Sequence, residues 1–145
     1  MRAELGERGL RFDDARRVVA FEESGRRFEA TNERGARLLG YRVNHELLPS
    51  SGGKACDYLL GVPQEPKVYL IELKGHHLRD AARQVRSTIA RLGRKLHGKR
   101  VYARVVLSRV PRPDLRSSEV LVLERILAGY GGSLRYRSIL IAESI

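Results

Sequence analysis

Residues 67–74 read KVYLIELK, and their interpretation decides the fold. The run Val68-Tyr69-Leu70-Ile71 is apolar on both alternating faces, the pattern of a strand buried on both sides rather than of a half-exposed one. It ends on Glu72-Leu73-Lys74, two charged residues where burial demands compensation. Alternation along an extended chain sends Glu72 and Lys74 to one side, about 6.6 Å apart along the strand, and Leu73 to the other. A buried central strand with an acid and a base at one end needs neighbouring strands and a helix to cover it.

Those neighbours are legible on either side. Upstream, Tyr41–Leu48 and Cys56–Gly61 read as strands, separated by PSSGGK (49–54) and followed by VPQEP (62–66), whose Pro, Gly and Ser reverse the chain. An antiparallel meander of three strands is the economical arrangement. Downstream, Leu78, Ala81, Ala82, Val85, Ile89, Leu92 and Leu96 recur at the 3–4 spacing of one helical face, which predicts a helix over 78–96. Val101–Ser108 follows as a strand, and RVPRPDLR (109–116) as a loop in which two prolines forbid helix. Ser117 or Ser118 caps a second helix striped by Val120, Leu123, Leu127 and Tyr130 and ended by Gly131-Gly132; Leu134–Ala142 closes as a strand.

Ahead of the meander, Asn32 is placed as the N-cap of a short helix over 33–39, ended by Gly40. RRVVAFEESGRRFEA (16–30) permits a helix or a hairpin turning at Ser24-Gly25, and the hairpin is preferred. The expected order is α-β-β-β-α-β-α-β, an α/β domain whose central sheet is mixed because helical crossovers permit parallel pairing. At 145 residues, without repeats or low-complexity linkers, the chain is expected to form one domain, with 32–142 as its core and 1–31 as an N-terminal extension.

Composition narrows the partners. The chain carries 28 basic and 17 acidic side chains, a net charge of +11. Residues 75–116 alone hold 12 basic against 2 acidic, while residues 1–74 are nearly balanced at 13 and 12. Such a concentration points to a polyanion, in the first place a nucleic acid. Arg79, Arg83, Arg86 and Arg94 lie away from the apolar stripe of the first long helix, and Arg109, Arg112 and Arg116 project from the proline loop; all seven are candidate phosphate contacts. No apolar run approaches the roughly 18 residues of a membrane span. A lone cysteine, Cys56, excludes an intrachain disulfide, no cysteine cluster supports zinc, and the start of the chain lacks the pattern of a secretory signal, so a cytoplasmic location is expected.

Pairing the strand that contains Asp57 with the strand that contains Glu72 brings two carboxylates together. That is a hard oxygen site suited to Mg²⁺ or Mn²⁺, to which the backbone carbonyl of Leu73 adds a ligand. Phosphodiester hydrolysis needs a cation to neutralise developing charge and to acidify water, and Lys74 is placed to hold the water or the scissile phosphate. These residues resemble the PD-(D/E)XK nuclease superfamily, in particular its small members of the Holliday junction resolvase and restriction endonuclease type. The likeness rests on Asp57, fourteen intervening residues, Glu72-Leu73-Lys74 at the end of an apolar strand, and the elements that follow. It implies a restriction-endonuclease-like core and a divalent-metal-dependent nuclease, endo- or exonucleolytic, in which Asp57 and Glu72 hold metal and Lys74 assists hydrolysis. It further implies that Gln84 positions water or phosphate, and that the protein is a homodimer. Cys56 stands where the family pattern has proline. Glu33 and Glu46 compete for the further acid usual in the family, and Glu46 is preferred as a metal ligand.

Simpler readings accompany each residue. An acid and a lysine on one strand often form a surface ion pair. SSGGK lacks the spacing of a phosphate loop and reads as a turn, from which Lys54 still reaches substrate. His76 and His77 open the basic segment, His76 as a candidate contact, whereas His45 and His97 have no partner pattern. Because phosphate contacts position without specifying sequence, cleavage is expected to be structure-selective. The rival expectation is a nucleic-acid-binding or assembly module with the same fold and no chemistry.

Overall fold

In a computed structural model that describes residues 1–75, 77–109 and 117–145, the elements run α1 (Arg2–Leu5), β1 (Leu10–Asp14), β2 (Val18–Glu23), β3 (Arg26–Thr31), β4 (Leu38–Arg42), β5 (Tyr58–Val62), β6 (Lys67–Gly75), α2 (Leu78–Leu92), β7 (Arg100–Leu107), α3 (Ser118–Gly129), β8 (Leu134–Ser138) and β9 (Leu140–Ser144). The side chain of Lys74 lies outside the described part.

The KVYLIELK strand is central because it is apolar on both faces. β6 pairs antiparallel with β5 and parallel with β7, inside a six-stranded sheet of order β1-β4-β5-β6-β7-β8. β4-β5-β6 is the expected antiparallel meander, and α2 and α3 provide the two parallel crossovers to β7 and β8. Val68 and Leu70 face a core filled by α2 and α3, including Ala81, Val85, Leu123 and Leu127. Tyr69, Ile71 and Leu73 face a second core, filled from the three-stranded sheet β2-β3-β9 by Val19, Phe21, Phe28 and Ile141. The molecule is thus a mixed α/β fold of three layers: helices, six-stranded sheet, three-stranded sheet. α2 buries Leu78, Val85, Ile89 and Leu92 along the stripe read from the sequence, each side chain adding about 1.5–3 kcal/mol of hydrophobic stabilisation.

The hairpin at Ser24-Gly25 forms as β2 and β3. The helix expected over 33–39 does not. Asn32 Nδ2 donates to the carbonyls of Arg16 and Ala36, and its Oδ1 accepts from the Ala36 N–H, so the side chain closes a loop instead of capping a helix. Leu38 already belongs to β4, and the strand expected over 41–48 ends at Arg42, with turns beyond it. Gly40 lets the Phe12 ring of β1 lie against β4, since a Cβ there would sit 2.2 Å from it. The helix expected over 78–96 stops at Leu92 and tightens into a 3₁₀ turn over Gly93–Leu96. Ser117 caps α3 by accepting from the Val120 N–H at 3.4 Å. The single strand expected over 134–142 is two: Ile139 takes φ 71°, β8 stays on the large sheet, and β9 crosses to pair in parallel with β3. α1 and the edge strand β1 carry no pattern that announces them.

Candidate functional site

β5 and β6 bring the two carboxylates side by side. The regular antiparallel ladder ends at Tyr58↔Ile71; just before it the Asp57 N–H donates to the Ile71 carbonyl at 3.0 Å, which holds Asp57 beside the end of β6 that carries Glu72. Both residues are only 1% exposed. They line a pocket of about 380 Å³ with Asn44, His45, Ser50, Gly53, Lys54 and Gln84. The sequence-derived residues Asp57, Glu72, Gln84 and Lys54 therefore share one cavity, formed by the end of β6, the 44–54 segment and α2.

Backbone and side-chain bonds fix this arrangement. Asp57 Oδ2 accepts from the Leu73 N–H at 2.8 Å, and the Asp57 carbonyl accepts from Val43 N–H at 2.9 Å. On the helix side, Thr88 Oγ1 accepts from the Cys56 N–H at 2.9 Å and donates to the Gln84 carbonyl at 2.8 Å, tying the residue before Asp57 to the turn of α2 that carries Gln84. Arg91 donates to the carbonyls of Gly53 and Pro49 at 2.9 and 2.7 Å and so clamps the 49–53 turn onto α2. A Cβ at Gly52 would lie 2.4 Å from this guanidinium, so a side chain there would have to displace the clamp. Burial pushes the Cys56 thiol pKa up, and the charges of Glu72 and Asp57 add to that shift, so the cysteine stays protonated and packs as a small apolar residue.

The register of β6 against β7 shifts between Glu72 and Gly75. Alternation along β6 holds through Leu73, which faces the same core as Tyr69 and Ile71. Lys74 lies two residues beyond Glu72 in β6, but its side chain, together with His76, Arg112 and Arg116, falls outside the described residues. Leu73 turns its side chain into the inter-sheet core, with its N–H on Asp57.

Glu46 is a correction. Its carboxylate receives both terminal nitrogens of the Arg11 guanidinium on the surface, and that cation holds its pKa below the ordinary glutamate value; it does not line the pocket. The turn that offers Glu46 outward aims its neighbours Asn44 and His45 at the cavity instead. His45 has no partner pattern in the sequence, and its φ of 70° is a feature that no such pattern announces. Sequence reasoning also misses Arg42. Its guanidinium lies 3.8 Å from Asp57 Oδ1 and pairs with Glu23. The available signal is an arginine ending a run of buried residues, Leu38 to Tyr41.

The candidate phosphate contacts divide. Arg79, Arg83, Arg86, Arg94 and Arg109 are exposed. Arg83 is already engaged, by Asp80 at 3.2 Å and by Glu119 of α3 at 2.8 Å. Arg79, Arg86 and Arg94 pair with no acid among the described residues.

Two carboxylates, the carboxamides of Asn44 and Gln84 and the hydroxyl of Ser50, with His45 beside them, make a donor set dominated by hard oxygen, which fits Mg²⁺ or Mn²⁺ completed by water. Among the described residues no group of three or more His, Cys, Asp or Glu side chains gathers to enclose an ion. No described helix is long and apolar enough to cross a membrane. Compared with known proteins, the chain gives no significant match to a family model, a curated protein or a solved structure.

Proposed function

We propose that the chain is a divalent-metal-dependent nuclease that hydrolyses phosphodiester bonds of DNA in a structure-selective manner, on a restriction-endonuclease-like core. The observation that carries this reading is the convergence of Asp57, just ahead of β5, and Glu72, near the end of β6, both buried, in one pocket with Gln84 and Lys54. Two buried carboxylates side by side repel each other and need positive charge between or beside them.

In this reading Asp57 and Glu72 hold the cation, with the Leu73 carbonyl as a further ligand. When bound, Mg²⁺ or Mn²⁺ supplies a Lewis acid that neutralises charge on the phosphate and acidifies water. Gln84 orients the attacking water or a phosphate oxygen from the helix side through its carboxamide. Lys54, on the arm that Arg91 clamps, grips a phosphate oxygen through Nζ. Lys74 Nζ holds the water and takes part in its deprotonation. Arg79, Arg86, Arg94 and Arg109 bind backbone phosphates outside the cleaved bond, which positions a duplex without reading bases. A homodimer would present two such pockets, one to each strand.

Cleavage of supercoiled plasmid and branched duplexes tests the proposal. Expected is cutting that requires Mg²⁺ or Mn²⁺, stops in EDTA, and falls at least 100-fold in Asp57→Ala, Glu72→Ala and Lys74→Ala, about what removal of a principal electrostatic group costs. Salt-dependent binding without cleavage on every substrate favours the second reading, a silent nucleic-acid-binding module. One observation speaks for that alternative: the Arg42 guanidinium already stands beside Asp57.

A further inference from the structure

Arg42 is held from several directions. Its N–H donates to the Gly9 carbonyl at 2.8 Å and its carbonyl accepts from Leu47 N–H at 3.1 Å, so the backbone at the end of β4 is pinned on both sides. The side chain is 13% exposed. Its guanidinium lies 4.9 Å from the Tyr58 ring centroid, one terminal nitrogen pairs with the Glu23 carboxylate, and the other stands 3.8 Å from Asp57 Oδ1. The Tyr58 hydroxyl donates to Glu23 Oε1 at 3.4 Å, which fixes the far end of the pair. Although burial alone would lower its pKa, the bonds to Glu23 and Tyr58 raise it above the ordinary arginine value, so it is a permanent cation. Asp57 is fixed as well, because its other oxygen accepts the Leu73 N–H.

We infer that Arg42 is a resident counter-ion of the Asp57–Glu72 pocket and sets that pocket's affinity for a divalent cation. The inference rests on the metal-binding part of the proposed function and adds a regulator to it. A cation bound to Asp57 must share the carboxylate with a guanidinium that is itself held by its pair with Glu23 and by the Tyr58 ring. Like charges a few ångströms apart in a poorly solvated site repel strongly. Arg42 therefore keeps the carboxylate pair tolerable while no metal is bound and weakens the metal once it binds. Arg42 is a positioning residue: it acts through Asp57 and touches no reacting atom.

Calorimetric titration of the full chain with Mg²⁺ and with Mn²⁺, independent of cleavage, tests this. Arg42→Gln is expected to bind about tenfold more tightly than the unaltered chain, and Arg42→Lys, which keeps the charge, close to it. The double variant Glu23→Gln/Arg42→Gln should keep the gain, and because it removes both charges of the pair it also carries the test if Arg42→Gln alone fails to fold. Binding by Arg42→Gln alone, with none by the unaltered chain, also supports the inference and would make Arg42 the reason for silence. Equal or weaker binding in the Arg42→Gln and double variants, while the unaltered chain binds, overturns the inference and leaves the nuclease reading standing. So does a gain shared by Arg42→Lys, or one absent from the double variant, which would trace it to Glu23. Absence of binding in every variant overturns both.

Discussion

The arginines of the first 42 residues and those of α2 do opposite work. Arg2 and Arg37 share Asp13, Arg11 holds Glu46, Arg16 holds Asp14, Arg27 reaches Glu22, and Arg42 holds Glu23. Along α2 and the 3₁₀ turn after it, by contrast, Arg79, Arg86 and Arg94 meet no acid among the described residues, and Arg83 alone is paired. Most N-terminal arginines are thus neutralised locally, Arg8, Arg17 and Arg26 excepted, whereas the excess charge is turned outward from the helical layer. Nor is all of the basic 75–116 segment on that outward face. Arg104 of β7 is 4% exposed between the two sheets, where it binds Glu143 of β9 and the Ala103 and Ser133 carbonyls, with its guanidinium 5.4 and 5.3 Å from the Tyr69 and Tyr102 ring centroids. What an arginine does here depends on whether the fold delivers a carboxylate to it.

Arg104 is where breaking that comparison costs most. Arg104→Ala leaves Glu143 in a mostly apolar layer with Arg135, at 3.4 Å, as its one cation among the described residues. A loss of about 3 kcal/mol in urea unfolding is expected, as for other broken buried pairs, and a loss below about 1 kcal/mol would show that the layers are held by apolar packing alone. The outward arginines should give the reverse. Replacing Arg79, Arg86 and Arg94 together with Gln is expected to change stability by less than about 0.5 kcal/mol per site. The same variant should lower the dependence of log affinity for duplex DNA on log salt by about 0.9 for each phosphate that is no longer neutralised. Arg83→Gln sharpens the contrast: with Glu119 and Asp80 already on its guanidinium, it should alter the salt dependence less than Arg86→Gln does.

The same physics explains which parts of the fold the sequence makes legible. α2, β5 and β6 are legible because burial of one helical stripe, and of whole strands between turns, leaves its mark in the residues themselves. Leu38-Leu39-Gly40-Tyr41 is not, since a strand buried on both faces has no alternation and the preceding Asn-Glu-Arg-Gly imitates a helix start. The break at Ile139 depends on β9 finding β3, more than a hundred residues away in the chain, and nothing local records that pairing. In the site, Asp57 and Glu72 can be found because strand register is a counting argument. Arg42, Asn44 and His45 cannot, because their roles arise from a turn whose direction is set by backbone bonds to Gly9 and Asp57.

Glu46 gives the smallest expected effect and the cleanest separation of surface pairing from chemistry. Its pair with Arg11 is close to half exposed on both sides, where such a pair is worth roughly 0.2–1 kcal/mol. Arg11 holds the Glu46 pKa below its ordinary value. The contribution is therefore present above the unfolded carboxyl pKa, near 4.3, and disappears as pH falls through the lower folded value. The stability gap between the unaltered chain and Glu46→Gln should accordingly be measurable at neutral pH and close on acidification, while metal-dependent cleavage and divalent-cation affinity stay unchanged. If Glu46→Gln instead weakened Mn²⁺ binding tenfold, the carboxylate would have to leave Arg11 for the pocket, and the local pairing of Arg11 would hold only while the metal is absent.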